Sequence, residues 1–219
     1  MQSVDSLEKQ MKEMSSNRSH VKIAVPAMIS TFLFPRMFDA FQKKYPDVQL
    51  EMLETGSLQT RKLIDTNAVD LGITILDGAV NDNYNILPLV TTELVFCVNK
   101  QHRLAKEKSV SIRQLAQEKI ILFKADSYQN VVIKNAFAEE EVEPNILLYS
   151  SQLYTIKQFL SYGTAGAFLY RQVAEMDEDL VCIPLEKPIV QKIVLIWAKS
   201  GVVYSTAEHF IQFSKTFEE

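Results

Sequence analysis

Strand-type and helix-type segments alternate along almost the whole chain, and this alternation restricts the fold more than any other feature of the sequence. The stretch HVKIAVP is rich in β-branched residues, and the next stretch has apolar residues at helical spacing and closes at Pro46. The same pairing recurs in DVQLEMLET and SLQTRKLIDT, in KIILFK and SYQNVVIKNAFAEE, and in NILLYSS and QLYTIKQFLSY. Regular alternation of this kind is typical of an α/β protein with mostly parallel sheets.

Two of the apolar segments lack the polar alternation of a half-exposed strand. VDLGITIL and ELVFCVN are nearly continuous in apolar residues, which is typical of strands covered on both faces. A second α/β unit begins near Glu93, yet no linker rich in Pro, Gly or Ser precedes it. We therefore predict two lobes with a hinge, joined by the crossing strands ELVFCVN and KIVLIWAK. The predicted first lobe contains residues 21–93 and 199–219, and the second contains residues 94–198.

Charge and apolar content exclude several classes of protein. The formal net charge is −4 and Lys and Arg are scattered, so the chain lacks the basic patch of a nucleic-acid surface. No apolar run reaches the roughly 20 residues of a membrane span, and the first residues have no signal-peptide pattern. These features predict a cytoplasmic protein. Cys97 and Cys182 lie in apolar runs, and in a reducing compartment we expect two buried thiols rather than a disulfide.

The first 20 residues carry a separate pattern. Val4, Leu7, Met11 and Met14 follow the alternating spacing of three and four residues that is typical of a coiled coil. One interpretation is an N-terminal tail, since two heptads are too short for a helix that is stable alone. The other interpretation is the end of a longer, dimerising helix. The sequence does not decide between them.

The sequence contains no recognisable pattern of a catalytic, metal or cofactor site. His20, His102 and His209 are isolated from one another and belong to no HExxH or Cys-x-x-Cys pattern. Gly163 and Gly166 follow a helix and precede a strand, so we interpret them as a helix cap and a close-packing position rather than as a dinucleotide loop. The chain is therefore predicted to need no cofactor and not to be an enzyme.

Small polar residues stand where four predicted strands end. In a parallel α/β sheet, ligands bind beyond these ends, where helix N-termini favour an anionic or strongly polar guest. Each of these residues taken alone is equally well explained as a helix N-cap. Their arrangement in two facing lobes favours a binding site, and because no Arg or Lys stands at these exits, we predict a small guest held mostly by neutral donors. The predicted ligand-binding residues are Met28, Ser30, Thr31, Ser57, Ser127, Ser151, Gln152 and Tyr170.

Several segments together resemble the effector-binding domain of LysR-type transcriptional regulators. The resemblance begins in VKIAVPAMISTFLFPRMFDAFQKKYPDVQLEMLETGSLQTRKLIDTNAVDLGIT and continues in KQHRLA and IKQFLSYGTAGAFLY, where Arg103 and Tyr170 replace prolines of the family pattern. It covers nearly all of residues 20–217. It implies two α/β lobes like those of type-II periplasmic binding proteins, with a small-molecule effector between them. It also implies that DNA is contacted only by an N-terminal winged helix-turn-helix, absent from these residues, and that residues 1–20 are the end of its linker helix.

A narrower resemblance concerns PAMISTFLFP, YSSQ and IPLEKPIVQKIVLIWAK. These segments are similar to the branch of the family that responds to short organic acids such as acetate or pyruvate, which suggests a short carboxylate as the effector. The alternative function is a solute-binding protein of a transport system, which shares the fold but would carry an export signal or a lipoprotein Cys. A few enzymes also share the fold, and they bring acidic, basic or cofactor-attaching residues to the cleft.

The helix from Leu33 to Tyr45 is predicted to have a wider apolar face than one lobe needs. This face includes Phe34, Phe38 and Phe41. In the family, this helix pairs with the opposite lobe of a second subunit, so the resemblance implies a homodimer or a tetramer. A stable interface of this kind buries at least about 1,000 Å².

Overall fold

The computed structural model describes residues 20–76, 83–200 and 203–217, and these form two α/β lobes that share one continuous sheet. The predicted α/β class and two-lobed architecture are confirmed. The heptad-like residues from Val4 to Met14 lie outside the described residues, so both interpretations of them stand. Within the described part of the chain, no helix combines the length and the apolar character that a membrane crossing requires.

The first lobe is built on three parallel strands. β1 (His20–Val25) lies between β2 (Gln49–Glu54) and β3 (Leu71–Ile75). Every residue of β3 is buried, which agrees with the unalternating apolar run from which this strand was predicted. The helices that follow these strands are α1 (Ala27–Phe32), α2 (Phe34–Lys44) and α3 (Ser57–Asp65).

The second lobe repeats this plan. β5 (Ile120–Phe123) lies between β6 (Ile146–Ser150) and β7 (Gly166–Tyr170), and both pairings are parallel. The short β8 (Leu180–Ile183) completes this lobe. Its helices are α4 (Ile112–Leu115), α5 (Tyr128–Glu139), α6 (Leu153–Ser161) and α7 (Arg171–Glu175).

Two long strands cross from one lobe to the other. β4 (Tyr84–Asn99) and β9 (Ile189–Ala198) pair antiparallel, and they place the strands in the order β2–β1–β3–β9–β4–β7–β5–β6, with β8 against the end of β4. β9 also pairs with β3 from Ile193 to Ile196, so this half of β9 shares the sheet of the first lobe. The boundaries of the two lobes stay a prediction. We propose to move residues 193–198 from the second lobe to the first.

An aromatic cluster holds the C-terminal helix α8 (Ser205–Thr216) against α2 and β1. The ring of Phe41 lies 5.1 Å from the ring of Phe210 and 5.4 Å from that of Phe213, measured between centroids. Phe34 and Phe41 are buried, whereas Phe38 is 40% exposed. Two of the three phenylalanines predicted on the wide apolar face of α2 therefore fill the core of their own lobe, and Phe38 is the one left partly exposed.

Candidate functional site

A cleft of about 230 Å³ lies between the lobes, beyond the carboxyl ends of strands from both halves of the sheet. Residues after β1 and β2 line it from the first lobe, namely Pro26, Ala27, Met28, Glu54, Thr55, Gly56 and Ser57. Residues at the ends of β5, β6 and β7 line it from the second lobe, namely Phe123, Lys124, Asp126, Ser127, Ser151, Gln152 and Tyr170. Parallel strands bring the loops and helix N-termini that follow them to one edge of the sheet, which is why segments far apart in sequence meet here.

Most of the residues predicted from the sequence line this cleft. Met28 and Ser57 lie on the first-lobe side, and Ser127, Ser151 and Gln152 lie on the second-lobe side. Tyr170 completes this set at the end of β7. The structure therefore brings six of the eight predicted positions to one place, although their contact with a ligand stays a prediction.

Ser30 and Thr31 are not among the residues that line the cleft. The sequence was interpreted as placing them in a loop after β1, but they lie inside the short helix α1, which begins directly after Pro26. Each hydroxyl donates back to the carbonyl oxygen of Ala27, at 2.8 Å from Ser30 and 2.9 Å from Thr31, and Ser30 also donates to a carboxylate oxygen of Glu54 at 2.8 Å. The structure therefore does not place these two hydroxyls with the six predicted residues that line the cleft.

The lobes contact each other through the first turns of α3 and α5. The backbone N–H of Leu58 donates to the carbonyl oxygen of Asp126 at 3.0 Å, and the backbone N–H of Tyr128 donates to Oγ of Ser57 at 2.8 Å. Gly56 packs directly on Asp126, so a Cβ atom at position 56 would overlap the Asp126 carbonyl oxygen. Ser57 therefore contributes to the contact between the lobes, and its hydroxyl oxygen already accepts a hydrogen bond from the second lobe in this structure.

The second lobe keeps most of its cleft donors open. Across the described ranges, the side chains of Ser127, Ser151 and Gln152 form no hydrogen bond. The loop that presents two of them is nevertheless ordered, because Oγ of Ser150 accepts from the backbone N–H of Gln152 at 3.0 Å. The first-turn N–H groups of α6 follow directly and have no partner within their own helix. This side of the cleft can therefore bind a small group that accepts hydrogen bonds.

Charged residues line the cleft, so the expectation that no Arg or Lys stands at the strand ends is wrong. Lys124 follows β5 directly, and Glu54 and Asp126 line the same space from the two lobes. Lys124 is the last residue of the predicted strand KIILFK. It was missed because the sequence does not show to which face of the sheet the last side chain of a strand points. Thr55, whose hydroxyl forms no hydrogen bond in the described part of the chain, was also missed.

Tyr170 connects the floor of the cleft to a crossing strand. Its hydroxyl donates to Oε1 of Gln191 on β9 at 2.7 Å, and its backbone N–H contacts the sulfur of Met28 at 3.4 Å. Burial raises the pKa of the Tyr170 phenol well above its ordinary value, and the neighbouring Tyr128 adds to the rise, so the ring stays neutral. Because Tyr170 also caps α7 with extended backbone, it occupies the position of the family's Pro without disturbing the turn.

The histidines lie away from the cleft lining and have structural contacts. Nε2 of His102 lies 3.3 Å from a carboxylate oxygen of Glu118, and the ring of His209 stacks on Tyr45 at 4.7 Å between centroids. Among the described residues, no group of three or more His, Cys, Asp or Glu side chains has the arrangement of a metal site.

Sequence comparison connects the chain with transcription regulators. A family profile described as LysR substrate binding domain matches residues 15–218. The HTH-type transcriptional regulator YwbI of Bacillus subtilis is 27% identical over 207 residues, which cover 93% of this chain and 68% of YwbI. The transcriptional activator CmpR of Synechocystis is 24% identical over 193 residues, which cover 86% of this chain and 63% of CmpR.

Solved structures share the fold at low sequence identity. The effector-binding domain of QuiR in complex with shikimate has a TM-score of 0.80 and 18% identity, with 90% of this chain and 96% of that one covered. The regulatory domain of Synechocystis CcmR in complex with 2-PG has a TM-score of 0.81 and 21% identity, with 90% and 95% covered. Both structures therefore share the two-lobed α/β fold of this chain.

Proposed function

This chain belongs to the LysR substrate binding domain family, and we propose that the effector of its cleft is a small organic acid. The chain is a ligand-sensing domain of a LysR-type transcriptional regulator, and its relatives do not favour the alternative of a transport protein. The observation that carries the proposed effector class is the cluster of open donors on the second lobe, formed by Ser127, Ser151 and Gln152 beside Lys124.

A short carboxylate matches this cluster in charge and in size. Its oxygens accept several hydrogen bonds at once, and the N-terminus of α6 and the ammonium of Lys124 both favour a negative charge. The cleft of about 230 Å³ is smaller than the sites that hold drug-sized ligands. Pro26, Ala27 and Met28 offer an apolar surface on the opposite side for a short carbon chain. The QuiR domain is in complex with shikimate and the CcmR domain with 2-PG, which supports a small-molecule effector for a domain of this fold.

The proposed mechanism is binding without chemical change of the effector. An effector that contacts Ser151 and Gln152 on one lobe and Thr55 on the other prefers the arrangement in which the lobes touch through Leu58 and Asp126. A ligand shifts a conformational equilibrium only by its difference in affinity for the two arrangements. We propose that this shift is passed to DNA through a winged helix-turn-helix outside the matched residues, in a cytoplasmic protein.

Calorimetric titration of the 219-residue chain with acetate and with pyruvate tests the effector class. Ser151→Ala should weaken binding about ten-fold to a hundred-fold, because a hydrogen bond to a charged group contributes roughly 1.5–3 kcal/mol. The matched control is Ser161→Ala at the other end of α6, where the exposed hydroxyl donates to the carbonyl oxygen of Lys157 at 3.1 Å. The control should bind like the wild type.

Two results would contradict the proposal. If neither acid binds the wild type, the effector is not a short carboxylate, although the family membership stands. If an acid binds and Ser151→Ala binds it as tightly as Ser161→Ala does, the acid lies elsewhere.

We also propose that the domain forms a homodimer through the two edges of its sheet. On the edge strand β2 and the nearby α2, Met52, Leu53 and Phe38 are 44%, 45% and 40% exposed. On the opposite edge strand β6, Leu147 and Tyr149 are 40% and 45% exposed. Two apolar edges at opposite ends of one sheet allow a two-fold pair in which each edge meets the other lobe of the partner.

Sedimentation at tens of micromolar tests the dimer. We expect a dimer for the wild type and a shift toward monomer for Phe38→Ser. Met176→Ser is the control and should leave the dimer intact, because it changes a 60% exposed side chain just after α7, a helix that packs on β4, β7 and β8. A monomeric wild type contradicts the proposed homodimer, and a dimer unaffected by Phe38→Ser excludes this edge.

A further inference from the structure

The two cysteines, which are distant in sequence, lie directly opposite each other in the second lobe. β4 and β8 pair antiparallel, and the register places Cys97 opposite Cys182. Residues opposite each other in an antiparallel pair point to the same face, and their Cα atoms are about 4.5 or 5.5 Å apart. Both distances lie in the range of about 4.4–6.8 Å that a disulfide spans. The two thiols are free in this structure, and their positions allow a disulfide bond to form between them.

The two thiols differ in their access to solvent. Cys97 is fully buried between β7 and β8, whereas Cys182 is half-buried on β8, a strand that pairs only with the end of β4 among the described strands. The sequence-based expectation of two buried thiols is therefore correct for Cys97 and wrong for Cys182. A small oxidant from solvent reaches Cys182 first.

The half-buried thiol is the more acidic of the two. The interaction with the neighbouring Cys97 thiol lowers the pKa of Cys182, and the charges of Arg171 and Lys157 act in the same direction against burial and the charge of Glu175. Burial raises the pKa of Cys97 well above its ordinary value, and the neighbouring Cys182 adds to this rise. The Cys97 thiol donates to the backbone carbonyl oxygen of Val95, with 3.7 Å between sulfur and oxygen. The thiolate is the reactive form of cysteine. The lower pKa and the greater solvent access of Cys182 therefore both make it the more reactive of the two cysteines.

We propose that Cys97 and Cys182 form a peroxide-reactive dithiol site, in which Cys182 is the attacking residue, Cys97 resolves the product, and a cross-strand disulfide results. In the first step, the Cys182 thiolate attacks one oxygen of hydrogen peroxide. The O–O bond breaks, the leaving hydroxide takes up a proton to become water, and Cys182 becomes a sulfenic acid. Sulfur has lost two electrons, and peroxide has gained them.

In the second step, the sulfur of Cys97 attacks the sulfur of Cys182. The S–O bond breaks, and the leaving hydroxide takes the proton of the Cys97 thiol to form a second molecule of water. The sum of both steps converts two thiols and one peroxide into one disulfide and two waters. The disulfide joins the crossing strand β4 to β8 and is independent of the proposed effector.

The test treats the 219-residue chain with hydrogen peroxide, alkylates the remaining thiols and maps the peptides by mass spectrometry. In the wild type, both cysteines should become inaccessible to alkylation together, a Cys97–Cys182 peptide pair should appear, and dithiothreitol should restore both thiols. In Cys97→Ala, Cys182 should form a sulfenic acid that dimedone traps. In Cys182→Ala, Cys97 should react at least about ten-fold more slowly than Cys182 does in the wild type.

Several outcomes would overturn the proposal. A wild type that keeps both thiols, or that forms only disulfides between chains, excludes the dithiol site. Equal rates in the two variants exclude the assigned roles. Peptide mapping of the wild type decides the central point even if Cys97→Ala folds poorly because of the cavity that it leaves.

Discussion

The two lobes approach the cleft with the same local design, a strand that ends in small polar residues before a helix, yet they use those residues differently. In the first lobe, Ser30 and Thr31 donate to the carbonyl oxygen of Ala27, and Ser57 accepts from the backbone of the other lobe. In the second lobe, Ser127 and Ser151 form no side-chain hydrogen bond within the described residues. A polar residue at a strand end is thus available to a ligand only when no nearer element has already satisfied it.

Several other polar groups of the first lobe are also bonded within it. The hydroxyl of Thr74 donates to the carbonyl oxygen of Ser57 at 3.0 Å, and the hydroxyl of Tyr84 donates to a carboxylate oxygen of Asp65 at 2.6 Å. The backbone N–H of Lys22 donates to Asp70 at 2.8 Å. We therefore expect the first lobe mainly to support the cleft, and most of the polar recognition to come from the second lobe.

Gly56→Ala should have the largest effect, because it acts where the lobes touch. The backbone at Gly56 is extended and suits alanine, but the added Cβ would overlap the carbonyl oxygen of Asp126 and lie 2.6 Å from its Cγ atom. Overpacking costs roughly 1–3 kcal/mol, so effector affinity should fall by about five-fold to 150-fold, as measured by titration.

The control for this variant is Gly166→Ala, whose added Cβ would overlap the ring of Phe96 inside the second lobe. It should lower the melting temperature and leave the affinity near the wild-type value at temperatures where the protein is folded. A Gly56→Ala variant that binds as tightly as Gly166→Ala would show that the contact at Asp126 does not matter for the effector.

The comparison of Ser127→Ala with Ser30→Ala tests the difference between the lobes directly. Ser127→Ala should weaken effector binding about ten-fold, since it removes an open donor from the cleft lining. Ser30→Ala should change affinity less than about two-fold, because its hydroxyl is already bonded to Ala27 and Glu54. Titration and thermal melts of both variants provide the measurement. Equal losses of affinity would mean that the first lobe also recognises the effector through this helix.

The smallest expected effect concerns pH and the internal hydrogen bond of Tyr84. Burial raises the pKa of Tyr84 from 10.0 to about 12, and the hydrogen bond and charge of Asp65 add to the rise. Because the folded state holds the proton more tightly than the unfolded state, this stabilisation is present below pH 10.0 and is lost as the pH rises toward about 12. Tyr84→Phe should therefore lower the free energy of unfolding below that range, and its difference from the wild type should shrink within it.

Denaturant unfolding of the wild type and of Tyr84→Phe at several alkaline pH values measures this difference. Tyr154→Phe changes a ring that is 73% exposed and should follow the wild-type profile. A constant difference between wild type and Tyr84→Phe across the range would mean that the Tyr84–Asp65 bond does not persist in solution.

Much of the architecture could be predicted because the signals are local. The strand β3 follows from one continuous apolar run, and α4 begins with the capping box of Ser111 and Gln114 just where the pattern SIRQLAQ starts. Hydrophobic periodicity and helix capping depend on residues within a few positions of one another, so both can be recognised from the sequence. The alternation of such segments then favours few architectures, which is why the α/β class and the two lobes were predicted from sequence.

What only the tertiary structure decided is the partner of each side chain. Ser30 and Ser151 were both predicted to stand at the end of a strand, and nothing near them in sequence says that one bonds to Glu54 and the other stays open. Phe38 and Phe41 share one helix, yet only Phe41 meets α8. Cys97 and Cys182 become neighbours only through the register of β4 and β8. The physical reason is that helix and strand formation depend mainly on local backbone preferences. The burial and the hydrogen-bond partner of a side chain depend instead on which residues, distant in sequence, pack against it, and this packing is a property of the whole folded chain.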